Sequence, residues 1–146
     1  MAYLADTNVV LRRILANDPL HAVVRAAVDR LLLRGETIYI TPQNLVEFRA
    51  LATRPASANG LGMTTAQAAA ETQRLEALFP MAAETPAIYP LWRSLVDAHD
   101  VIGRQVFDAR LVAVMQAHGL THLLTLNPTH FRRFPGLTIV DPHNVK

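Results

Sequence analysis

Short apolar, β-branched runs alternate along this chain with longer stretches of helical periodicity. The predicted strands cover residues 1–5, 37–40, 122–125 and 137–140, with a weaker one at 81–83. Strands that are separated by helices favour a mostly parallel sheet, because each return to the same edge needs a long crossover. The order of elements therefore predicts an α/β fold, with helices covering both faces of a central sheet.

Six helices are predicted between these strands, over about residues 7–16, 20–34, 42–53, 64–78, 89–99 and 105–118. Pro42 and Pro90 suit the first turn of a helix, and Gly35 and Gly119 are typical of residues that end one. Residues 54–63 are rich in turn formers and predict a loop. The length of 146 residues predicts a single domain over residues 1–146.

Composition excludes several classes of function. The chain has no cysteine, which excludes disulfides, zinc sites built on thiolates and cysteine nucleophiles. Its only lysine is the terminal Lys146, so it lacks a Walker-type phosphate loop. No apolar run is long enough to span a membrane and no targeting segment is visible, so we expect a soluble cytoplasmic protein.

Asp6 ends the first predicted strand and directly precedes a predicted helix. Open α/β sheets bind their ligands at the carboxyl ends of the strands, which is where this carboxylate would lie. The alternative is structural, since aspartate is a favoured N-cap residue. Asp6 is therefore a candidate site residue with a helix cap as the competing interpretation.

Asp108 interrupts the apolar face of the last predicted helix, at helical spacing from Leu111, Val112 and Met115. Burying an unpaired carboxylate costs several kcal/mol. An acid at this position therefore needs a cation, a hydrogen-bond cluster or an opening to solvent. The alternative is a partly exposed acid that the helix dipole stabilises in the first turn.

Glu47 lies at the edge of the apolar face of the third predicted helix. Taken alone, it is better explained as a solvated acid near Arg54. The six histidines show no metal-ligand spacing and are interpreted as surface or turn residues. Because the chain has no cysteine, any metal would be held by oxygen or imidazole ligands.

Four segments together resemble the signature blocks of PIN-domain nucleases, most closely the VapC-type toxins of toxin-antitoxin pairs. The blocks are residues 4–11 (LADTNVVL), 42–48 (PQNLVEF), 107–113 (FDARLVA) and 124–131 (LTLNPTHF). The resemblance implies a PIN-like three-layer sandwich in which Asp6, Glu47 and Asp108 hold Mg²⁺ or Mn²⁺. It also implies a metal-dependent endoribonuclease with RNA as substrate, a cognate antitoxin protein as partner and a homodimeric state.

The fourth block departs from the family pattern. Many relatives carry an acid at Asn127 or at His130, and neither residue adds negative charge here. Asn127 is explained equally by a ligand role through its carbonyl oxygen and by a plain turn before Pro128. A PIN-like module that binds RNA or a protein partner, with weakened catalysis, is therefore the main alternative function.

Two other phosphate-handling classes use an aspartate after the first strand, namely dehalogenase-like phosphatases and response-regulator receivers. Both use a lysine, and the first also needs an acid where Asn8 stands. The arginines Arg49, Arg104 and Arg110 are possible phosphate contacts, with solvated helix faces or ion pairs as the alternative. Four apolar residues are compatible with either a partner groove or the core: Leu61, Met63, Leu75 and Leu78.

Overall fold

The computed structural model describes residues 1–146. Its strands are β1 (Ala2–Ala5), β2 (Thr37–Tyr39), β3 (His122–Leu124) and β4 (Thr138–Val140). Its helices are α1 (Thr7–Ile14), α2 (His21–Leu33), α3 (Pro42–Thr53), α4 (Thr65–Leu78), α5 (Ile88–Ala98) and α6 (Gln105–His118). Three short 3-10 turns lie at Ala56–Ala58, Pro128–His130 and Pro142–Asn144.

The four strands form one sheet in the order β2-β1-β3-β4, and every neighbouring pair is parallel. Leu4 of β1 pairs with Tyr39 of β2 on one side and with Leu123 of β3 on the other. The weak strand predicted at residues 81–83 is reduced to a single parallel bridge between Met81 and Ile40. The predicted parallel sheet is confirmed.

Alternate residues of the central strands point to opposite faces of the sheet and into two separate hydrophobic clusters. Ala5 and Leu124 pack with the side chains of α1 to α4 in the larger cluster. Leu4 and Leu123 pack with those of α5 and α6 in the smaller one. Two helical layers therefore enclose the sheet, which confirms the three-layer α/β sandwich.

Helix boundaries depart from prediction by one or two residues. Helix α1 ends at Ile14 rather than near Ala16, and the Asp18 carboxylate accepts a hydrogen bond from the Leu20 amide ahead of α2. Two of the four apolar residues that are compatible with a partner groove or the core lie in different environments. Leu75 is buried in the core, while Leu78 is partly exposed. None of the helices is both long and apolar enough to cross a membrane.

Candidate active site

The crevice between the carboxyl ends of β1 and β3 is a topological switch point, because the chain leaves β1 towards β2 and returns on its other side as β3. Asp6 follows β1 directly and Thr125 follows β3 directly. The Asp6 amide donates to the Leu124 carbonyl at 2.9 Å, and the Thr125 hydroxyl donates to Asp6 Oδ2 at 2.7 Å. The two strand ends thus fix the first predicted acid in place.

The Asp6 carboxylate is only 4% exposed. Burial raises its pKa, and the charge of Glu47 raises it further, while the hydrogen bonds from Thr125 and from the Thr7 amide and the charge of His130 lower it. Asp6 occupies the N-cap position of α1 but makes no side-chain capping bond. Helix capping therefore does not account for this buried acid.

Glu47 is held by donors from two helices. The Thr7 hydroxyl of α1 donates to Oε2 at 2.6 Å, and Gln43 Nε2 of α3 donates to Oε1 at 2.8 Å. Asn44 Nδ2 donates to the Thr7 hydroxyl at 2.9 Å, which orients its proton towards Glu47. Glu47 is partly exposed and forms no ion pair with Arg54; its carboxylate is bonded instead to Thr7 and Gln43.

The first turn of α3 is itself fixed by a capping box. Thr41 Oγ1 accepts from the Asn44 amide at 3.0 Å, and Asn44 Oδ1 accepts from the Thr41 amide at 2.7 Å. Both residues are fully buried. The capping box therefore orients the Asn44 side chain that reaches Thr7, and it links helix initiation to the site.

Asp108 lies in the first turn of α6 with a side chain that is 23% exposed. Its predicted face neighbours Leu111, Val112 and Met115 are all buried. Burial raises the pKa of Asp108 to about 6, and the charges of Asp6 and Glu47 raise it too, against the opposing effect of His130. Asp108 thus combines the two environments considered for it, an apolar face and an opening to solvent.

The charges of the three predicted acids therefore influence one another at the carboxyl edge of the sheet. Their side chains as placed do not form a compact group of three or more metal-binding residues. The donors are nonetheless carboxylate oxygens, and the pKa values of Asp6 and Asp108 are raised by burial first and by the like charges nearby second. In chemistry and charge this donor set fits a hard divalent cation.

Residues from the fourth sequence block border the same crevice. The Asn127 amide donates to Thr125 Oγ1 at 3.0 Å, and the Asn127 carbonyl accepts from the His130 amide at 3.1 Å. The second of these bonds closes the 3-10 turn that begins at Pro128, and the Asn127 side chain does not cap this turn. The turn places His130 Nδ1 at 3.4 Å from Asp108 Oδ2.

Thr125, Gln43 and His130 are among the site residues that have no role in the sequence prediction. Gln43 lies one helical turn before Glu47, and that spacing was a usable signal for a side-chain pair. Thr125 and His130 reach their acids only through the pairing of distant segments. Sequence periodicity does not encode those contacts.

The arginines proposed as phosphate contacts have different surroundings. Arg110 forms a two-point ion pair with Glu84 and also bonds Gln43. Arg49 donates to the carbonyl of Thr65 at 3.5 Å, and Arg104 is exposed. The ion-pair interpretation therefore describes Arg110.

The sequence matches the PIN domain family over residues 3–137, so the chain belongs to the PIN-domain family. Comparison with curated proteins gives no match.

Solved structures share the fold at low sequence identity. VapBC2 from Rickettsia felis, bound to a promoter DNA fragment, matches at 18% identity and a TM-score of 0.73, over 97% of this chain and 98% of that one. VapBC-1 from nontypeable Haemophilus influenzae matches at 14% identity and a TM-score of 0.72, over 97% of this chain and 98% of that one. VapC20 from Mycobacterium tuberculosis, described as a toxin that cleaves the sarcin-ricin loop, matches at 20% identity and a TM-score of 0.61. The match covers 84% of this chain and 87% of that one.

Proposed function

We propose that this PIN-domain protein is a metal-dependent endoribonuclease that hydrolyses RNA phosphodiester bonds, as the toxin of a toxin-antitoxin pair. The observation that carries the proposal is that acids from three distant segments border one crevice: Glu47 bonds Thr7 beside Asp6, and its partner Gln43 bonds Phe107 beside Asp108. Similarity to a toxin described as cleaving the sarcin-ricin loop supports RNA as the substrate class. The place of action would be the cytoplasm, where such RNA is found.

Asp6, Glu47 and Asp108 would hold Mg²⁺ or Mn²⁺. When bound, such an ion makes a water molecule more acidic and offsets the negative charge that develops on the phosphate. Thr125 fixes the buried Asp6, and Thr7 fixes Glu47, so two carboxylates are oriented before substrate arrives. The partial exposure of Asp108 leaves the crevice open to an RNA phosphate.

An antitoxin protein would be the physiological partner, and a homodimer the assembly state. Two structures of this fold are toxin-antitoxin complexes, which supports the first of these assignments. Exposed apolar residues next to the site, Val46 and Phe107, provide surface that a partner could cover. Neither position is needed for the core, since both side chains are more than half exposed.

A module that binds RNA or a partner without efficient cleavage is the second candidate function. It is favoured first by the observation that the acidic side chains do not already form a compact ligand group. The absence of an acid at Asn127 and His130 acts in the same direction. The two functions differ in whether a divalent cation permits strand cleavage.

The test is cleavage of RNA in Mg²⁺ or Mn²⁺ by the parent protein, Asp6→Asn and Asp108→Asn. We expect cleavage by the parent and a loss of roughly 100-fold or more in each variant, because each removes one negative ligand. Circular dichroism of each variant controls for folding. Equal rates in all three proteins would contradict the assignment of these acids, and RNA binding without cleavage by the parent would favour the second function.

A further inference from the structure

A continuous line of hydrogen bonds joins the surface residue Glu84 to the site residue Glu47, through Arg110 and Gln43. We propose that Gln43 and Arg110 are positioning residues that hold the Glu47 carboxylate in the orientation needed for cation binding. This inference rests on the proposed function, because it assigns residues to the support of that same site. Neither residue is itself assigned as a ligand or as a group that touches RNA.

Gln43 joins the two helices that carry acids. Its Nε2 group donates to Glu47 Oε1 at 2.8 Å and to the Phe107 carbonyl of α6 at 2.9 Å. Both protons of the amide are therefore used, one for the acid of α3 and one for the backbone beside Asp108. The side chain is only 9% exposed, so water does not readily replace these bonds.

Arg110 determines which way the Gln43 amide faces. Arg110 Nη1 donates to Gln43 Oε1 at 3.2 Å, and a guanidinium can only donate. A flipped amide would direct its NH₂ group at Arg110 and its oxygen at Glu47 and the Phe107 carbonyl, which would leave three repulsive contacts. The arginine thus keeps the Gln43 donor pointed at the Glu47 carboxylate.

Glu84 in turn orients Arg110. The guanidinium forms two parallel bonds with this carboxylate, Nη1 to Oε1 at 3.2 Å and Nη2 to Oε2 at 2.7 Å. Two-point pairing fixes the plane of the guanidinium as well as its position. The pair is partly exposed, and such pairs contribute about 0–1 kcal/mol to stability, so orientation is its main consequence.

The competing role for Arg110 is direct contact with an RNA phosphate. In that role, removing Glu84 would release the guanidinium and leave or strengthen RNA binding. In the positioning role, removing Glu84 weakens cation binding, because the constraint on Gln43 is lost. The two roles therefore predict different responses to changes at Glu84.

The experiment measures Mn²⁺ affinity by the electron paramagnetic resonance of the free ion, together with kcat and KM for RNA cleavage. Gln43→Met keeps the side-chain volume without its polar atoms. Arg110→Met removes the hydrogen bond from Arg110 to Gln43, and Glu84→Gln weakens the ion pair that orients Arg110. The control is Arg93→Met, which breaks an exposed ion pair with Asp97 on α5, away from the site. Thermal unfolding without metal establishes that each variant is folded.

We expect Gln43→Met to weaken Mn²⁺ binding by about 10- to 100-fold, the range for groups that orient metal ligands. Arg110→Met should weaken it about 3- to 10-fold and Glu84→Gln by less, with KM for RNA within twofold of the parent. The double variant of Gln43 and Arg110 should bind no more weakly than Gln43→Met alone, because both act through one bond. Arg93→Met should match the parent.

Parent-like Mn²⁺ affinity in both Gln43→Met and Arg110→Met would overturn this inference and leave the proposed function intact. A raised KM in Arg110→Met with unchanged Mn²⁺ affinity would also overturn it, in favour of an RNA contact. If Gln43→Met fails to fold, Arg110→Met and Glu84→Gln decide between these outcomes. A parent protein that binds no Mn²⁺ would overturn the proposed function and this inference together.

Discussion

The Glu47 side of the crevice and the Asp108 side are held very differently. Glu47 accepts two hydrogen bonds, at 2.6 and 2.8 Å, from residues on two helices that are themselves bonded further. Asp108 has a polar neighbour at 3.4 Å, His130, which lies in a turn and is 44% exposed. One acid is oriented in advance, whereas the other is held loosely beside two like charges.

The difference shows that a site can hold one carboxylate in a fixed orientation and leave another close to like charges. The hydrogen bonds at Glu47 fix its carboxylate, whereas burial, together with the charges of Asp6 and Glu47, raises the pKa of Asp108 to about 6. A bound divalent cation would offset the repulsion between these charges. We call the Glu47 side the rigid side and the Asp108 side the loose side. We expect substitutions on the rigid side to change ligand geometry, and substitutions on the loose side to change the charge of the crevice.

The largest effect outside the acids themselves is expected at Thr125, whose hydroxyl fixes the buried Asp6 between the two sides. Thr125→Val keeps the shape but removes both the donor to Asp6 and the acceptor of the Asn127 amide, so RNA cleavage should fall by about 10- to 100-fold. Stability should fall by about 1–3 kcal/mol, because Asp6 loses a partner where water has little access. Denaturant unfolding and single-turnover cleavage measure the two effects.

Thr121→Val is the matched control for Thr125, since it makes the same substitution at an exposed position before β3. It should change neither stability nor cleavage appreciably. If the two variants behave alike, the bond from Thr125 to Asp6 is not what holds the first acid.

At Asp108 we expect a smaller effect on stability, opposite in sign to that of Thr125→Val. Its pKa is 3.8 in the ordinary state and about 6 in the fold, so between these values the folded protein binds more protons than the unfolded chain. Stability of the metal-free protein should therefore fall as the pH rises from about 4 to about 6, and should stay low above that range. Asp108→Asn removes this loss.

We expect Asp108→Asn to stabilise the metal-free protein by about 1–2 kcal/mol at pH 7.5, with most of the gain absent at pH 4. Urea unfolding at the two pH values measures the difference. A variant that is less stable than the parent at pH 7.5 would mean that Asp108 contributes attractive contacts, and the contrast between the two sides would then fail.

The smallest effect is expected at His130. Because it is exposed and lies 3.4 Å from Asp108, His130→Ala should weaken Mn²⁺ binding only a few-fold, well below the change in Gln43→Met. Calorimetric titration of both variants gives the comparison. An effect of His130→Ala that equals or exceeds that of Gln43→Met would reverse the assignment of the rigid and the loose sides.

The fold could be predicted from local patterns, because alternating apolar runs and helix stop signals each depend on a few neighbouring residues. Asp108 could be recognised by the same means, as an acid on an otherwise apolar helix face. The supports of the site could not. Thr125 meets Asp6 only because β3 pairs beside β1, and Arg110 meets Gln43 only because the N-terminal parts of α6 and α3 come within hydrogen-bonding distance of each other. These placements are set by packing between distant segments.

The central claim is that Asp6, Glu47 and Asp108 act together as one cation site. Calorimetric titration of Mn²⁺ at pH 7.5 into the metal-free parent and into Asp6→Asn, Glu47→Gln and Asp108→Asn tests it most directly. The account predicts saturable binding by the parent and a large loss of affinity in each of the three folded variants. Parent-like affinity in any one of them, or no binding by the parent, would contradict it.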